Sequence, residues 1–207
     1  MKITKYPQSC LRLEKDGKAI MIDIGSFVTE HFRLDTFDSF EALLITHQHA
    51  DHFDPGITTW LVDHDVAVYA NENVAQKFPD LPVHALVDGQ SEIIAGFQVT
   101  ARDLPHCKMA DGSDGPPNTG YVVNSTFFHP GDGTTIENLQ VETLAVPIAG
   151  PSISMHTATV FVRQVGAKTV IPIHYSNPVF YNDPNAFSNQ FKDANVIVLQ
   201  DGEETEV

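Results

Sequence analysis

Ala42-Leu43-Leu44-Ile45-Thr46-His47-Gln48-His49-Ala50-Asp51-His52 is the stretch on which the reading of this chain turns. Four apolar residues in an unbroken run describe a short strand buried on both faces. Directly after it, His47, His49, Asp51 and His52 place four ligand-capable side chains within six residues. In extended backbone, residues two apart point the same way, so His47 and His49 can chelate one ion together. Asp51 and His52 then turn towards a second. Imidazole nitrogen and carboxylate oxygen suit zinc at about 2.0–2.2 Å. A lone histidine at a strand end is an ordinary surface group. Four such groups packed after a buried strand would strand polar atoms without a metal.

On the N-terminal side, Ser9 to Glu14 alternates with a period of two, Asp16-Gly17 marks a turn, and Lys18 to Asp23 is a second, more buried strand. On the C-terminal side, Pro55 and Gly56 open a short helix through Trp60 and Leu61. Val66 to Tyr69 is a strand, and Asn71 caps a helix running to Phe78. Ile93 to Leu104 returns to strand, and the Gly-, Pro- and Asp-rich stretch from His106 to Asn118 is loop. Gly120 to Val123, Thr126 to Phe128 and Val141 to Val146 read as strands. Ala158, Phe161, Val162 and Val165 form one helix face that Gly166 ends. Thr169 to Ile173 is a buried strand ending at His174. A helix starts at Asp183-Pro184 with Phe187 and Phe191 on one face, and Val196 to Leu199 is the last strand, before an acidic tail. Runs of strands with interposed helices and no linker predict one domain over 1–207, two packed sheets with helices outside.

Three further ligand candidates stand at strand ends: His106, Asp132 in a Gly-Asp-Gly turn, and His174. The flanking glycines let the backbone turn so that Asp132 projects, and a carboxylate can bridge two cations. With these residues in this order, the chain resembles the metallo-β-lactamase superfamily of metal-dependent hydrolases over nearly its whole length. The stretches Ile22-Asp23, Phe128-His129-Pro130-Gly131-Asp132 and Ile171-Pro172-Ile173-His174-Tyr175 resemble its small single-domain branch near the ascorbate-6-phosphate lactonases.

That resemblance implies an α/β fold, a four-layer αββα sandwich of two mixed sheets. It also implies two divalent ions, with Zn2+ favoured and Mn2+ or Fe compatible. His47, His49 and His106 would hold one ion and Asp51, His52 and His174 the other, with Asp132 bridging and Asp23 orienting the loop by hydrogen bonds. The ions would make a shared water a nucleophile at neutral pH, oriented by Asp51. Two ions, two carboxylates and one hydroxide leave the centre at about +1, attractive to anions. The expected activity is cleavage of an ester, lactone or related bond in a small, anionic metabolite. The alternatives are a small-molecule phosphodiesterase with the same centre and a non-catalytic metal- or ligand-binding protein. His129 and Tyr175 are candidate pocket groups, Tyr175 as donor to an oxyanion or as a core or rim residue. Lys108 either contacts an anionic substrate or is solvated, and Cys107 to Pro117 has the composition of a flap over the site. Ser26 to Phe40, with Phe27, Phe32, Phe37 and Phe40, forms either an apolar pocket wall or core packing.

Composition narrows the partners. In 207 residues, 27 Asp+Glu against 12 Lys+Arg give a net charge of -15, and hydrophobic residues make up 42%. An acidic chain without clustered cations does not grip nucleic acid, and thirteen Phe argue against disorder. No apolar run reaches signal-peptide or membrane-helix length. A cytoplasmic protein with no membrane partner, able to self-associate, is the expectation. Cys10 and Cys107 match no metal or redox spacing. Two free thiols or one disulfide both remain open. His31, His64 and His84 read as surface residues and His156 as a helix start.

Overall fold

The computed structural model describes residues 1–33 and 39–207. The first sheet contains β1 (Lys2–Lys5), β2 (Leu11–Lys15), β3 (Lys18–Ile22), β4 (Ala42–Ile45), β5 (Ala67–Asn71) and β6 (Val83–Leu86) in spatial sequence. The second contains β7 (Ser91–Ile94), β8 (Phe97–Asp103), β9 (Thr119–Val123), β10 (Phe127–His129), β11 (Thr143–Pro147), β12 (Thr169–Ile173) and β13 (Asn195–Val196). A last strand, β14 (Glu204–Glu206), returns to the first sheet beside β1. Pairing is antiparallel along β1-β2-β3 and parallel along β3-β4-β5-β6. In the second sheet it is antiparallel along β7-β8-β9-β10 and parallel along β10-β11-β12-β13.

Side-chain alternation sorts the core into three layers. Leu11, Leu13, Ile20, Ile22 and Leu44 meet Val99, Tyr121, Phe127 and Ile171 between the sheets. Met21, Leu43 and Ile45, one residue out of phase, pack under α1 (Ser26–His31), α2 (Pro55–Val62) and α3 (Glu72–Lys77), through Val28, Leu61 and Val74. Leu144, Val146 and Val170 pack under α4 (Met155–Val165) and α5 (Pro184–Ser188), through Phe161, Val165 and Phe187. The result is the expected helix–sheet–sheet–helix sandwich. The run Ala42–Ile45 is apolar throughout because β4 faces the inner core with Leu44 and the helices with Leu43 and Ile45.

Local signals explain the helix ends. Asp54, Asn71, Ser154 and Asp183 each cap a helix N-terminus through a side-chain oxygen, and Gly166 ends α4 with φ 69°. Several readings need correction. The N-terminal residues form β1, and the acidic tail forms β14, held where Lys2 Nζ lies 3.4 Å from Glu204 Oε2 and 3.2 Å from Glu14 Oε2. Residues 93–104 split into β7 and β8 around Ala95 and Gly96, both at positive φ. The strand expected over Val196 to Leu199 covers only Asn195–Val196, and Phe191 lies beyond α5 while still meeting Phe187 edge-on at 5.1 Å. Cys10 and Cys107 are both buried and free, which closes the disulfide alternative. Among the described residues, no helix is long and apolar enough to cross a membrane.

Candidate metal centre

The chain leaves β3 at Asp23, a fully buried residue with φ 58°. Its Oδ1 accepts the Thr46 backbone N–H at 2.8 Å, and its Oδ2 accepts the Thr46 hydroxyl at 2.8 Å and His52 Nδ1 at 2.7 Å. These bonds tie the end of β3 to the loop after β4. They also fix the imidazoles. With the Thr46 hydrogen given to Asp23, Thr46 Oγ1 accepts from His47 Nδ1 at 3.1 Å. His106 Nδ1 donates to the Cys107 carbonyl at 2.6 Å, and His174 Nδ1 to the Ala149 carbonyl at 2.7 Å. Four imidazoles therefore spend Nδ1–H outward and turn a bare Nε2 inward.

The inward atoms form two groups. His47 Nε2 lies 3.1 Å from His49 Nδ1 and 3.2 Å from His106 Nε2, and Asp132 Oδ2 lies 3.5 Å from His106 Nε2. In the second group Asp51 Oδ2 lies 3.3 Å from His174 Nε2 and 3.9 Å from His52 Nε2. Asp132 Oδ1 lies 3.2 Å from both His52 Nε2 and His174 Nε2. Within each group the donor atoms all fall within 4.8 Å of one another, the first comprising His47, His49, His106 and Asp132 and the second Asp51, His52 and His174. Asp132 thus turns one oxygen to each group. His52 Nε2 and Asp132 Oδ1 are buried with no hydrogen-bond partner. Lone pairs facing one another in a buried site need a cation between them, so the donor set fits divalent metal.

Charge compensation follows the same geometry. Burial holds His47 well below the usual imidazole range, and neighbouring His52 adds to this. Burial would lower His52 too, but Asp132, Asp51 and Asp23 outweigh it and hold its pKa well above normal. Burial would raise Asp132, yet His174 and His52 pull it well below the carboxylate range. Without metal the second group therefore keeps protons that a cation must displace.

All seven ligand candidates and Asp23 meet at this centre. His129 does not reach it. Its Nε2–H donates to the Ser9 carbonyl at 2.8 Å, and its Nδ1 accepts the Gly131 N–H at 3.2 Å, bracing the turn that carries Asp132. Of the two roles read for Tyr175, the structure shows the core or rim one: its hydroxyl donates to the Leu199 carbonyl at 2.7 Å, and Lys5 Nζ sits 4.6 Å over its ring. Lys108 is exposed and paired with Asp114 at 2.5 Å. Phe27 lines the cavity over the centre, Phe32 meets Tyr6 edge-on, and Phe40 packs on the α1–α3 layer. Phe37 lies outside the described residues.

Two site residues escaped the sequence reading. Gln8, fully buried at φ 58°, donates from Nε2 to Asp51 Oδ2 at 3.0 Å, and its Oε1 accepts the N–H groups of Ser176 and Asn177. Asn118 accepts the Asp132 N–H at 3.2 Å and donates to the Pro130 carbonyl at 2.9 Å. Gln8 follows β1, which was not read as a strand, and neither residue has a motif around it.

Paired sheets carrying a His/Asp cluster at their common edge make a metal-binding αββα protein, and its relatives mark it as a metal-dependent hydrolase. A profile described as the beta-lactamase superfamily domain matches residues 2–174, and the chain belongs to the metallo-β-lactamase superfamily. It is 31% identical over 242 residues to a UPF0173 metal-dependent hydrolase of Azorhizobium caulinodans, covering 100% of both chains. It is 30% identical over 183 residues to Protein Rv0786c of Mycobacterium tuberculosis, covering 84% of each. Igni18, a metallo hydrolase of Ignicoccus hospitalis, shares the fold with a TM-score of 0.80 at 20% identity, over 99% of this chain and 97% of that one.

Proposed function

We propose that this metal-dependent hydrolase cleaves an ester or lactone of a small molecule using two divalent ions. His47, His49 and His106 would hold one ion, Asp51, His52 and His174 the other, with Asp132 shared. The observation that carries this reading is the Asp132 carboxylate, which presents a separate oxygen to each donor group. Five imidazoles and two carboxylates without thiolate suit zinc and also accept manganese or iron. When bound, such ions polarise the substrate oxygen and make a water nucleophilic at neutral pH.

The chain's own residues divide the remaining work. Asp132 is almost wholly buried, whereas the Asp51 side chain is 23% exposed towards the cavity. Asp51 is therefore the carboxylate able to orient the attacking water, take its proton and return it to the leaving oxygen. Gln8 Nε2 holds Asp51 Oδ2 and limits its rotation. The two free thiols support a reducing, cytoplasmic setting.

The test is to load metal-free protein with Zn2+, Mn2+ or Fe2+, count ions per chain, and assay lactones, aryl esters and phosphodiesters. Two ions per chain and ester or lactone turnover are expected, with Asp132→Ala losing an ion and at least about 100-fold in rate. Full activity with one ion, or in Asp132→Ala, overturns the reading.

A further inference from the structure

We propose that the cavity beside the metal centre selects an uncharged, apolar substrate body, so that neutral aryl or alkyl esters are preferred to anionic ones. The inference rests on the hydrolase reading and names the substrate class of the same site. The cavity is about 370 Å3, within the range that encloses most of a small molecule. Beyond the ligand residues its walls are Phe27 from α1, Met109 from the loop after His106, Pro151 from the loop after β11 and Phe180 from the loop after β12. Four separate segments each contribute an apolar side chain. Ser26 and Asn177 add only neutral polar groups.

No lysine or arginine lines this cavity among the described residues. The undescribed stretch, residues 34–38, reads Leu-Asp-Thr-Phe-Asp and has no cation to offer. Lys108, next to the His106 loop, points its ammonium to Asp114 at the exposed surface. Sites built for phosphate or carboxylate use fixed guanidinium or ammonium donors. Among the described lining residues the anion attraction comes from the metal centre, and the reacting oxygen uses it. A second negative charge on the substrate body would be desolvated against Phe27 and Phe180 without a partner. The net charge of -15 adds repulsion at long range. The anionic metabolite expected from the charge of the metal centre alone gives way to a neutral hydrophobic one.

The experiment uses the full metal-loaded chain. The kcat/KM values for methyl 4-acetoxybenzoate and 4-acetoxybenzoate are compared after normalising each to its uncatalysed rate. The neutral ester should lead by at least about tenfold, the loss of one charge-assisted partner. Lengthening the acyl chain of 4-nitrophenyl esters should raise kcat/KM by about threefold to fourfold per methylene until the cavity is filled. Phe180→Arg should shrink the neutral preference. A parallel calorimetric measurement needs no turnover: benzohydroxamate should bind at least about tenfold tighter than 4-carboxybenzohydroxamate, since the chelating group is common to both. If no ester turns over but this binding ratio holds, the ester and lactone reading fails and the pocket inference stands. Ester turnover with no neutral preference, or equal binding of the two hydroxamates, overturns the pocket inference and leaves the hydrolase intact.

Discussion

Replacing Asp23 by Asn removes one oxygen acceptor and leaves the shape of a fully buried side chain unchanged. Asp23 accepts three hydrogen bonds, one on Oδ1 from the Thr46 backbone and two on Oδ2 from the Thr46 hydroxyl and His52 Nδ1. The Thr46 N–H cannot become an acceptor, so the Asn oxygen must stay beside it. The amide NH2 then faces His52 Nδ1. In the metal-loaded protein His52 must keep its proton on Nδ1, because Nε2 is the atom turned to Asp132 and the second donor group. Two N–H groups would confront each other at the position of a 2.7 Å charge-assisted bond. Losing that bond is worth about 1.5–3 kcal/mol, or about 10–100-fold in metal affinity. The loss should fall mainly on the group of Asp51, His52 and His174, where His52 loses its acceptor directly, and reach the His47, His49 and His106 group less, through the Thr46 hydroxyl that holds His47 Nδ1. Calorimetric titration of the metal-free variant separates binding at the two donor groups, and nitrogen-detected NMR reports the His52 tautomer. Parental affinity at both positions, or an equal loss at both, refutes the reasoning.

Four other substitutions probe the scaffold. A Cβ on Gly25 would lie 2.1 Å from Asp51 C and 2.5 Å from His52 N, both main-chain atoms, so Gly25→Ala should cost about 3 kcal/mol and weaken metal binding by the group of Asp51, His52 and His174. Gly17→Ala, with open space but φ 73°, should cost only about 1–2 kcal/mol, and chemical denaturation separates the two. Gln8→Leu leaves the half-buried N–H groups of Ser176 and Asn177 without an acceptor and frees Asp51. It should destabilise by about 2–4 kcal/mol and lower kcat more than it raises KM. Burial lowers the His129 pKa below 6.5, so below pH 6.5 the unfolded chain takes a proton that the native one refuses. Stability is then lost as pH falls through that window, by up to about 1.4 kcal/mol per pH unit. His129→Gln, compared at saturating metal, should show a shallower acid slope, and an unchanged slope counts against the assignment.

Periodicity exposed the parts of this fold whose side chains are sorted by burial. The continuous run Ala42–Ile45 declared a doubly covered strand, and Asn71, Gly166 and Asp183 marked helix ends through local chemistry. The seven candidate ligands were legible because histidines and aspartates at turns after strands have few other uses in such density. Strands defined by partners rather than pattern were not legible. β14 is three residues of Glu-Thr-Glu whose place depends on β1 and on Lys2, and β6 carries an exposed histidine mid-strand. The choice between the two roles of Tyr175 was closed to the sequence for a related reason. Its neighbour His174 has φ 61°, and a left-handed residue redirects the chain that follows it, so adjacency to a ligand does not place a side chain in the pocket.

The direction of the strands explains why the centre lies where it does. β1 and β3 run the same way, each antiparallel to β2, and β4 and β5 run parallel to β3. In the other sheet β8, β10, β11 and β12 share one direction. Gln8, Asp23 and His47 follow β1, β3 and β4, and Asn71 ends β5. His106, Asp132, Ala149 and His174 follow β8, β10, β11 and β12. Carboxyl ends of parallel strands are where open α/β sheets place ligands, because connecting loops leave there with unpaired backbone groups. In this chain those groups are answered by site residues: Asn71 Nδ2 caps the Thr46 carbonyl, His174 Nδ1 the Ala149 carbonyl, and Gln8 the Ser176 and Asn177 N–H groups. The bonds that satisfy the strand ends also aim the metal-facing atoms. Disturbing Gln8 or Asn71 should therefore change metal affinity and stability together, whereas a cavity-wall change such as Phe180→Arg should alter substrate preference and leave metal affinity unmoved.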